Sequence, residues 1–123
     1  MTEQIRQACN LTHDLLAGDN YREANYQRVL LHYLQLEGFR VSSEEVCVYQ
    51  FGRCYAGSGR IDIVAWKGKE EYILELKVGG HFKIPDYMAQ LRKYVKHRQA
   101  TLGILVIFDS NKKPLIRQYG KLP

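Results

Sequence analysis

Two β-forming segments joined by a glycine turn constrain the fold of this 123-residue chain more than any other feature. Arg60–Trp66 and Tyr72–Val78 are rich in β-branched and aromatic residues, which favour strands. Gly68-Lys69 suits a two-residue type II′ turn, because glycine stands at the first central position. The sequence therefore predicts an antiparallel hairpin in which Lys67 pairs with Glu70.

The same register gathers charged residues on the hairpin. Counting outward from the turn, Asp62 pairs with Glu75 and Arg60 pairs with Lys77. Because alternate residues of a strand share a face, Asp62, Glu75 and Lys77 are predicted to project from one face. Like charges in direct cross-strand pairing destabilise a sheet, so the two acids need compensation. Mg²⁺ or Mn²⁺ would supply it through oxygen ligands, while the alternative interpretation is a surface pair offset by simple salt bridges.

The remaining hydrophobic pattern predicts an α/β fold in the order ααβββαβ, with a further edge strand at the end. Two of the predicted strands are apolar on both sides, so helices should cover both faces of a central mixed sheet. The length supports a single domain over residues 1–123. The predicted helices are Thr2 to about Ala17, about Asn20 to Glu37 and about Pro85 to Gln99; the other strands are Val46–Phe51, Leu102–Phe108 and Leu115–Tyr119.

Composition and charge narrow the class of protein. No apolar run reaches the roughly 18 residues of a membrane span, so no membrane partner is expected. Three cysteines in a chain able to build its own core are interpreted as reduced thiols of a soluble intracellular protein, in the cytoplasm or nucleus. Residues 51–123 hold fourteen Lys and Arg against six Asp and Glu, whereas residues 1–50 hold four against seven. A basic surface on part of a small domain suggests a polyanionic partner, most simply nucleic acid.

Three sequence motifs resemble those of a known enzyme superfamily. Asp62 is followed, after twelve residues, by Glu75-Leu76-Lys77, which resembles the PD-(D/E)xK nuclease signature. Glu23 and Tyr26 resemble the Glu and Tyr of the GxxExxY family, a branch of the same superfamily. The segment from Gln90 to Tyr94 resembles the QxxxY motif of RecB-like members, on the helix after the Glu-x-Lys strand.

This resemblance implies a restriction-endonuclease-like fold and a Mg²⁺-dependent nuclease that hydrolyses DNA, with Mn²⁺ as an alternative ion. By the resemblance, Asp62 and Glu75 hold the metal and the backbone carbonyl of Leu76 is an extra ligand. Lys77 positions the attacking water or stabilises the charge that develops on phosphorus. Glu23 and Gln90 complete the metal and water shell.

Two positions depart from the family pattern, and one residue has two interpretations. Asn20 stands where the GxxExxY glycine would be, and Ile61 stands where a proline often precedes the Asp. Neither change replaces a metal ligand. Glu23 shares a helical side with Tyr26 and is either a satisfied buried polar group or a third carboxylate directed at Asp62.

The third predicted helix is expected to face DNA. Gln90 and Tyr94 would reach the edge of the site, and the alternative interpretation is a solvated basic face with Tyr94 packed as core. Basic residues here suit backbone phosphates better than base edges. The predicted nucleic-acid contacts are Lys83, Arg92, Lys93, Tyr94, Lys96 and Arg98, which Lys112, Lys113, Arg117 and Lys121 would extend.

Two other functions remain compatible with the sequence. The chain could be a catalytically silent nuclease-like module that binds nucleic acid or a protein. It could also be a structure-selective, junction-resolving nuclease that acts as a homodimer. RNA remains an alternative to DNA as the nucleic-acid partner.

Overall fold

The computed structural model describes residues 2–79, 83–109 and 113–120, which form an α/β fold in the order ααβββαββ. This order confirms the predicted one, including the edge strand at the end. The elements are α1 (Thr2–Leu16), α2 (Glu23–Leu36), β1 (Arg40–Phe51), β2 (Cys54–Lys67), β3 (Glu70–Val78), α3 (Ile84–Arg98), β4 (Leu102–Phe108) and β5 (Leu115–Tyr119).

The five strands form one mixed sheet in the order β1-β2-β3-β4-β5. Neighbouring strands are antiparallel except β3 and β4, which run parallel and are joined by α3 as a crossover. Helices α1 and α2 pack on one face of the sheet and α3 packs on the other. The predicted sheet with helices on both faces is therefore confirmed.

A glycine in β4 lets α3 approach the sheet closely. Leu91 and Val95 of α3 are buried against Ile73 and Leu105 of the sheet. A Cβ atom added at Gly103 would lie 2.6 Å from Val95 Cγ2 and 2.8 Å from Leu91 Cγ, which is too close for carbon atoms. The absence of a side chain at Gly103 therefore sets the distance between α3 and β4.

Helix α2 begins later than the predicted Asn20 because local backbone geometry opposes an earlier start. Asn20 has a φ of 61°, outside the helical region. Arg22 is the N-cap residue, and its backbone N–H donates a hydrogen bond to the Asn25 side chain at 3.0 Å. The helix therefore begins at Glu23.

Strands β1 and β2 are longer than predicted and form an extended hairpin. The polar start of β1 has little intrinsic strand preference, but Ser43 pairs with the buried Ile63 of β2. Cross-strand pairing therefore overrides the local preference. At the other end the hairpin continues to the pair Phe51 and Cys54.

Three further observations concern the predicted thiols, membrane spans and basic residues. Cys9 and Cys47 are buried free thiols, and Cys54 is an exposed one. Within the described ranges, no helix has both the length and the apolar character needed to cross a membrane. Lys112 and Lys121 lie outside the described residues.

Candidate active site

The predicted hairpin register is correct near the turn and wrong beyond it. The ladder between β2 and β3 runs from Lys67 and Glu70 to Ile63 and Leu74, as the turn predicts, and Gly68 has the required positive φ of 62°. It ends there, so the ladder pairs predicted for Asp62 with Glu75 and for Arg60 with Lys77 do not form. The two strands separate at the position where the charged residues begin.

The alternation of faces also fails at Asp62. Ile61 packs in the core beneath α3, whereas Ile63, two residues on, packs in the core beneath α1 and α2. On β1, the residue opposite Asp62 is Glu44, which lies between the pairs Ser43–Ile63 and Glu45–Ile61. Glu44 has a positive φ of 56°. The prediction that strand alternation puts Asp62 on one face with Glu75 and Lys77 is therefore wrong.

Side chains replace the missing ladder bonds and still bring the two acids together. The Leu76 backbone N–H donates to Asp62 Oδ2 at 2.8 Å, and the Asp62 backbone N–H donates to Glu75 Oε1 at 3.2 Å. Each carboxylate thus accepts a backbone amide of the opposite strand. The separation of the strands creates the site because it leaves these amides for side chains to bind.

A cavity of about 150 Å³ adjoins Asp62 on the α2 side of the sheet. Glu23, the first residue of α2, lines it, as the third-carboxylate interpretation expects. Gln27, one turn later, donates from Nε2 to the Asp62 carbonyl at 2.7 Å and to Glu44 Oε2 at 3.4 Å. The lining residues are Glu23, Ala24, Gln27, Glu44, Asp62 and Leu76.

Two residues that line the cavity, Gln27 and Glu44, are not among those that the sequence motifs indicate. Gln27 follows Glu23 by four positions, so the two share a helical face, and this spacing could have identified it. Glu44 has no such signal because the strand pattern around it is irregular.

The carboxyl groups of the site resist ionisation. Glu75 is only 7 % exposed, and burial, with the nearby charges of Asp62 and Glu23, raises its pKa to about 8. Burial and the charge of Glu44 also raise the pKa of Asp62, although the Leu76 N–H and Lys77 oppose this. The pKa of Glu23 is raised by burial and then by Asp62. In the metal-free protein, burial first and mutual repulsion second therefore favour the protonated forms of these acids.

Lys77 is the cation that acts on all three of these acids. It lowers the pKa of Glu23, Asp62 and Glu75 alike. Its Nζ lies 4.8 Å from the ring centroid of Tyr87 on α3, and it makes no ion pair within 4.0 Å to any residue that the structure describes. Its ammonium group is therefore held near the acids without being bound to one.

The donor chemistry fits a hard divalent cation, although no ready-made cage exists. Within residues 2–79, 83–109 and 113–120, no group of three His, Cys, Asp or Glu side chains is arranged to hold a metal ion. The Asp62 and Glu75 carboxylates are instead engaged with backbone amides. Carboxylate and carbonyl oxygens nevertheless suit Mg²⁺ or Mn²⁺, and the raised pKa values mark a place where positive charge is favourable.

The two α3 motif residues bind the β1–β2 hairpin, Tyr94 on β2 and Gln90 on β1. Tyr94 donates its hydroxyl to the Arg60 carbonyl at 2.9 Å, and Gln90 Nε2 donates to the Tyr49 hydroxyl at 2.9 Å. Gln90 does not line the cavity described above. Tyr94 is 3 % exposed, so the prediction that it contacts nucleic acid is wrong and the core interpretation is correct.

Among the cations predicted to contact phosphates in the α3 region, one forms ion pairs and the others keep exposed side chains. Arg98 forms ion pairs with Glu71 at 2.9 Å and Glu45 at 3.0 Å, so its guanidinium is already neutralised and its prediction is wrong. The others keep exposed side chains: Lys83, Arg92, Lys93 and Lys96. Beyond α3, Lys113 and Arg117 are also exposed.

The chain is similar to known proteins in family and in fold. A family model described as the PD-(D/E)XK nuclease superfamily matches residues 1–119. The solved structure of SSO0001 shares 18 % identity at a TM-score of 0.63, covering 82 % of this chain and 49 % of that one. A protein of unknown function, AF1548, shares 19 % identity at a TM-score of 0.51, with 71 % and 48 % covered. This chain thus spans about half the length of both, and the two likenesses concern the fold.

A third solved structure is the Holliday junction resolvase Hjc of Archaeoglobus fulgidus. It shares 22 % identity at a TM-score of 0.48, with 73 % of each chain covered. No curated protein sequence matches this chain.

Proposed function

Because this chain belongs to the PD-(D/E)XK nuclease superfamily, we propose that it is a metal-dependent nuclease that hydrolyses phosphodiester bonds of DNA. The observation that carries the proposal is the meeting of Asp62 and Glu75 where β2 and β3 separate, with Lys77 acting on both. The resemblance of Glu23 and Tyr26 to the GxxExxY motif supports the further proposal that the chain belongs to that branch.

Asp62, Glu75 and the backbone carbonyl of Leu76 would hold Mg²⁺ or Mn²⁺, with Glu23 completing the set. When bound, the cation supplies Lewis acidity toward the scissile phosphate. The raised pKa values of the acids support this assignment, because a divalent cation would compensate both the burial of the carboxylates and their mutual repulsion.

The reaction needs a positively charged group beside the phosphate, and Lys77 fills that role. Its ammonium is held against the Tyr87 ring and is not consumed by an ion pair with the other described residues. It can therefore position the attacking water or stabilise the charge that develops on the phosphate oxygens.

Two further side chains fix the position of Asp62. Gln27 holds its backbone carbonyl from the α2 side, and Tyr94 holds the carbonyl of Arg60 from the α3 side. Both act through the β2 backbone, so they are positioning residues. Their hydrogen bonds restrain the strand at the point where the ladder with β3 has already ended.

The substrate would be held chiefly through its phosphates. Lys83, Arg92, Lys93 and Lys96 are exposed cations of the α3 region, and such contacts position a backbone without reading its sequence.

A cleavage panel in Mg²⁺ on single-stranded, duplex, flapped and branched DNA, with an RNA strand added, tests this function. Asp62→Asn and Lys77→Ala should abolish cleavage, whereas Glu3→Gln on the exposed side of α1 and Lys69→Ala in the hairpin turn should cleave as wild type. Binding without cleavage of any substrate in Mg²⁺ or Mn²⁺ would favour a silent nucleic-acid-binding module. Cleavage restricted to the branched substrate would favour a junction-resolving nuclease.

A further inference from the structure

Beyond the site, β1 and β2 continue as a two-stranded arm. The ladder between β2 and β3 ends at Ile63, but β1 and β2 stay paired from Val46 and Arg60 to Phe51 and Cys54. We call residues 46–60 the arm.

One face of the arm is packed against α3. Cys47 is 2 % exposed and Tyr49 packs against the same core, and the Tyr49 ring lies 5.2 Å from that of His97. At the tip, the Phe51 ring meets His97 edge-on at 5.0 Å. These contacts hold the arm in place beside the site.

The opposite face of the arm is open and mixes exposed apolar side chains with polar ones. Val46 is 57 % exposed, Val48 is 45 % exposed and Tyr55 is 63 % exposed. Arg60 pairs with Val46 and is exposed, so it lies on the same face. Gln50 follows Val48 by two positions on β1 and so shares its face, and Tyr55 pairs with Gln50, so Tyr55 lies on this face as well. We call Val46, Val48, Tyr55 and Arg60 the arm face.

The arm face is continuous with the candidate active site. Because Cys47 packs beneath α3, the alternate residues Val46 and Val48 point to the other side of the sheet, which is the side of α2 and the cavity. Arg60 lies two residues before Asp62 on the same strand. A ligand lying on this face would therefore lead directly to Asp62.

The charge of the arm suits a polyanion. Residues 46–61 contain no Asp or Glu, although acids flank them at Glu45 and Asp62. Arg53 at the tip and Arg60 at the base are both exposed. Exposed apolar and aromatic side chains between two cations match the faces of unpaired bases flanked by phosphates, whereas a paired duplex presents its charged backbone.

We propose that the arm face binds a single-stranded DNA segment adjacent to the cleaved bond, with Tyr55 stacking on a base and Arg53 and Arg60 contacting phosphates. This deepens and rests on the proposed nuclease function, since it names the substrate as DNA that carries an unpaired stretch. Tyr55 and Asp62 are seven positions apart on β2, roughly 20 Å along a strand, so the bound segment would span several nucleotides between the stacked base and the cleaved bond.

Binding without a divalent cation tests the arm independently of cleavage. The probes are a labelled oligothymidine strand and a blunt duplex, measured by fluorescence anisotropy in EDTA. Tyr55→Ser should weaken binding of the single strand by roughly fivefold to a hundredfold, the range expected when one stacked base loses its platform, and should leave duplex binding unchanged. Tyr55→Phe should bind as wild type, because it keeps the ring. Leu36→Ser is the matched control, since Leu36 is 69 % exposed at the end of α2, away from the arm.

The outcomes separate this inference from the proposed function. Unchanged binding of the single strand by Tyr55→Ser, or an equal reduction on both probes, would overturn the arm proposal even if the protein cleaves DNA. If the wild type cleaves no substrate but Tyr55→Ser binds the single strand more weakly than the wild type does, the arm proposal is supported and the nuclease proposal fails. A wild-type dimer in sedimentation that becomes monomeric on Tyr55→Ser, with oligothymidine affinity unchanged, would make the arm face a self-association surface and refute the proposal. Circular dichroism melting of each variant checks that the fold is retained.

Discussion

Replacing Glu75 by Gln should stabilise the metal-free protein, and the gain should grow with pH. The ordinary pKa of a Glu is 4.5, and burial with nearby charge raises that of Glu75 to about 8. Between these values the unfolded chain releases its proton while the folded protein retains it. Folding therefore takes up a proton, and the contribution of Glu75 to stability falls as pH rises through this window.

The size of the effect follows from the pKa difference. Each pKa unit corresponds to about 1.4 kcal/mol, so Glu75 should cost roughly 3 kcal/mol near pH 7 and roughly 4 to 5 kcal/mol above its folded pKa of about 8. Below its ordinary pKa of 4.5 the cost vanishes, because both states are protonated. Glutamine has no proton to lose, and its amide oxygen can still accept the Asp62 N–H that Glu75 accepts at 3.2 Å.

Urea denaturation in EDTA, from about pH 5 to about pH 8, measures this difference. Glu75→Gln and wild type should have similar free energies of unfolding at the low end and should diverge steadily toward the high end. Glu3→Gln, an exposed carboxyl on α1, is the control and should follow wild type throughout. A difference between Glu75→Gln and wild type that is independent of pH, or that grows as pH falls, would refute the reasoning.

Three other predictions address the metal, the lysine and the cations. Mg²⁺ should raise the melting temperature of wild type, because it binds the folded state, and Asp62→Asn should lose most of that rise; equal responses in a thermal-shift titration would contradict the metal assignment. Lys77→Ala should abolish cleavage yet retain the Mg²⁺-induced thermal shift, because its role is in the reaction, and Lys69→Ala should retain both. Replacing Arg92, Lys93 and Lys96 together by neutral residues should weaken DNA binding for all sequences. In a salt titration, the slope of log affinity against log salt should flatten by about one unit for each phosphate contact that is lost. An unchanged slope would place the DNA elsewhere on the protein.

Features set by neighbouring residues could be read from the sequence. Gly68 determines the turn because its positive φ fits the first central position, and the turn in turn sets the register as far as Ile63 and Leu74. The apolar run Leu102–Phe108 predicts β4 with its correct bounds, and every residue of this strand is buried in the structure. The family motifs pointed to Asp62 and Glu75, which do lie together in the structure, although not as a ladder pair.

Features set by residues far apart in the chain could not be read. The sequence predicts Arg98 as a phosphate contact, but its partners Glu71 and Glu45 lie 27 and 53 positions away. The sequence leaves Tyr94 between a DNA contact and a core residue, and the carbonyl that its hydroxyl binds lies 34 positions away. No local periodicity records such partners.

The sequence by itself determined the order of the elements and the hairpin turn, because turn geometry and hydrophobic period act over a few neighbouring residues, and the family motifs added Asp62 and Glu75. Only the tertiary structure decided how β2 is held after it leaves β3, since Gln27 of α2 and Tyr94 of α3 bind its backbone from opposite sides. It also decided the ionisation of Glu75, because burial arises from packing of the whole sheet and raises the pKa more than any single neighbouring charge does. The arm emerges for the same reason, since it is the part of the β1–β2 hairpin that β3 does not accompany.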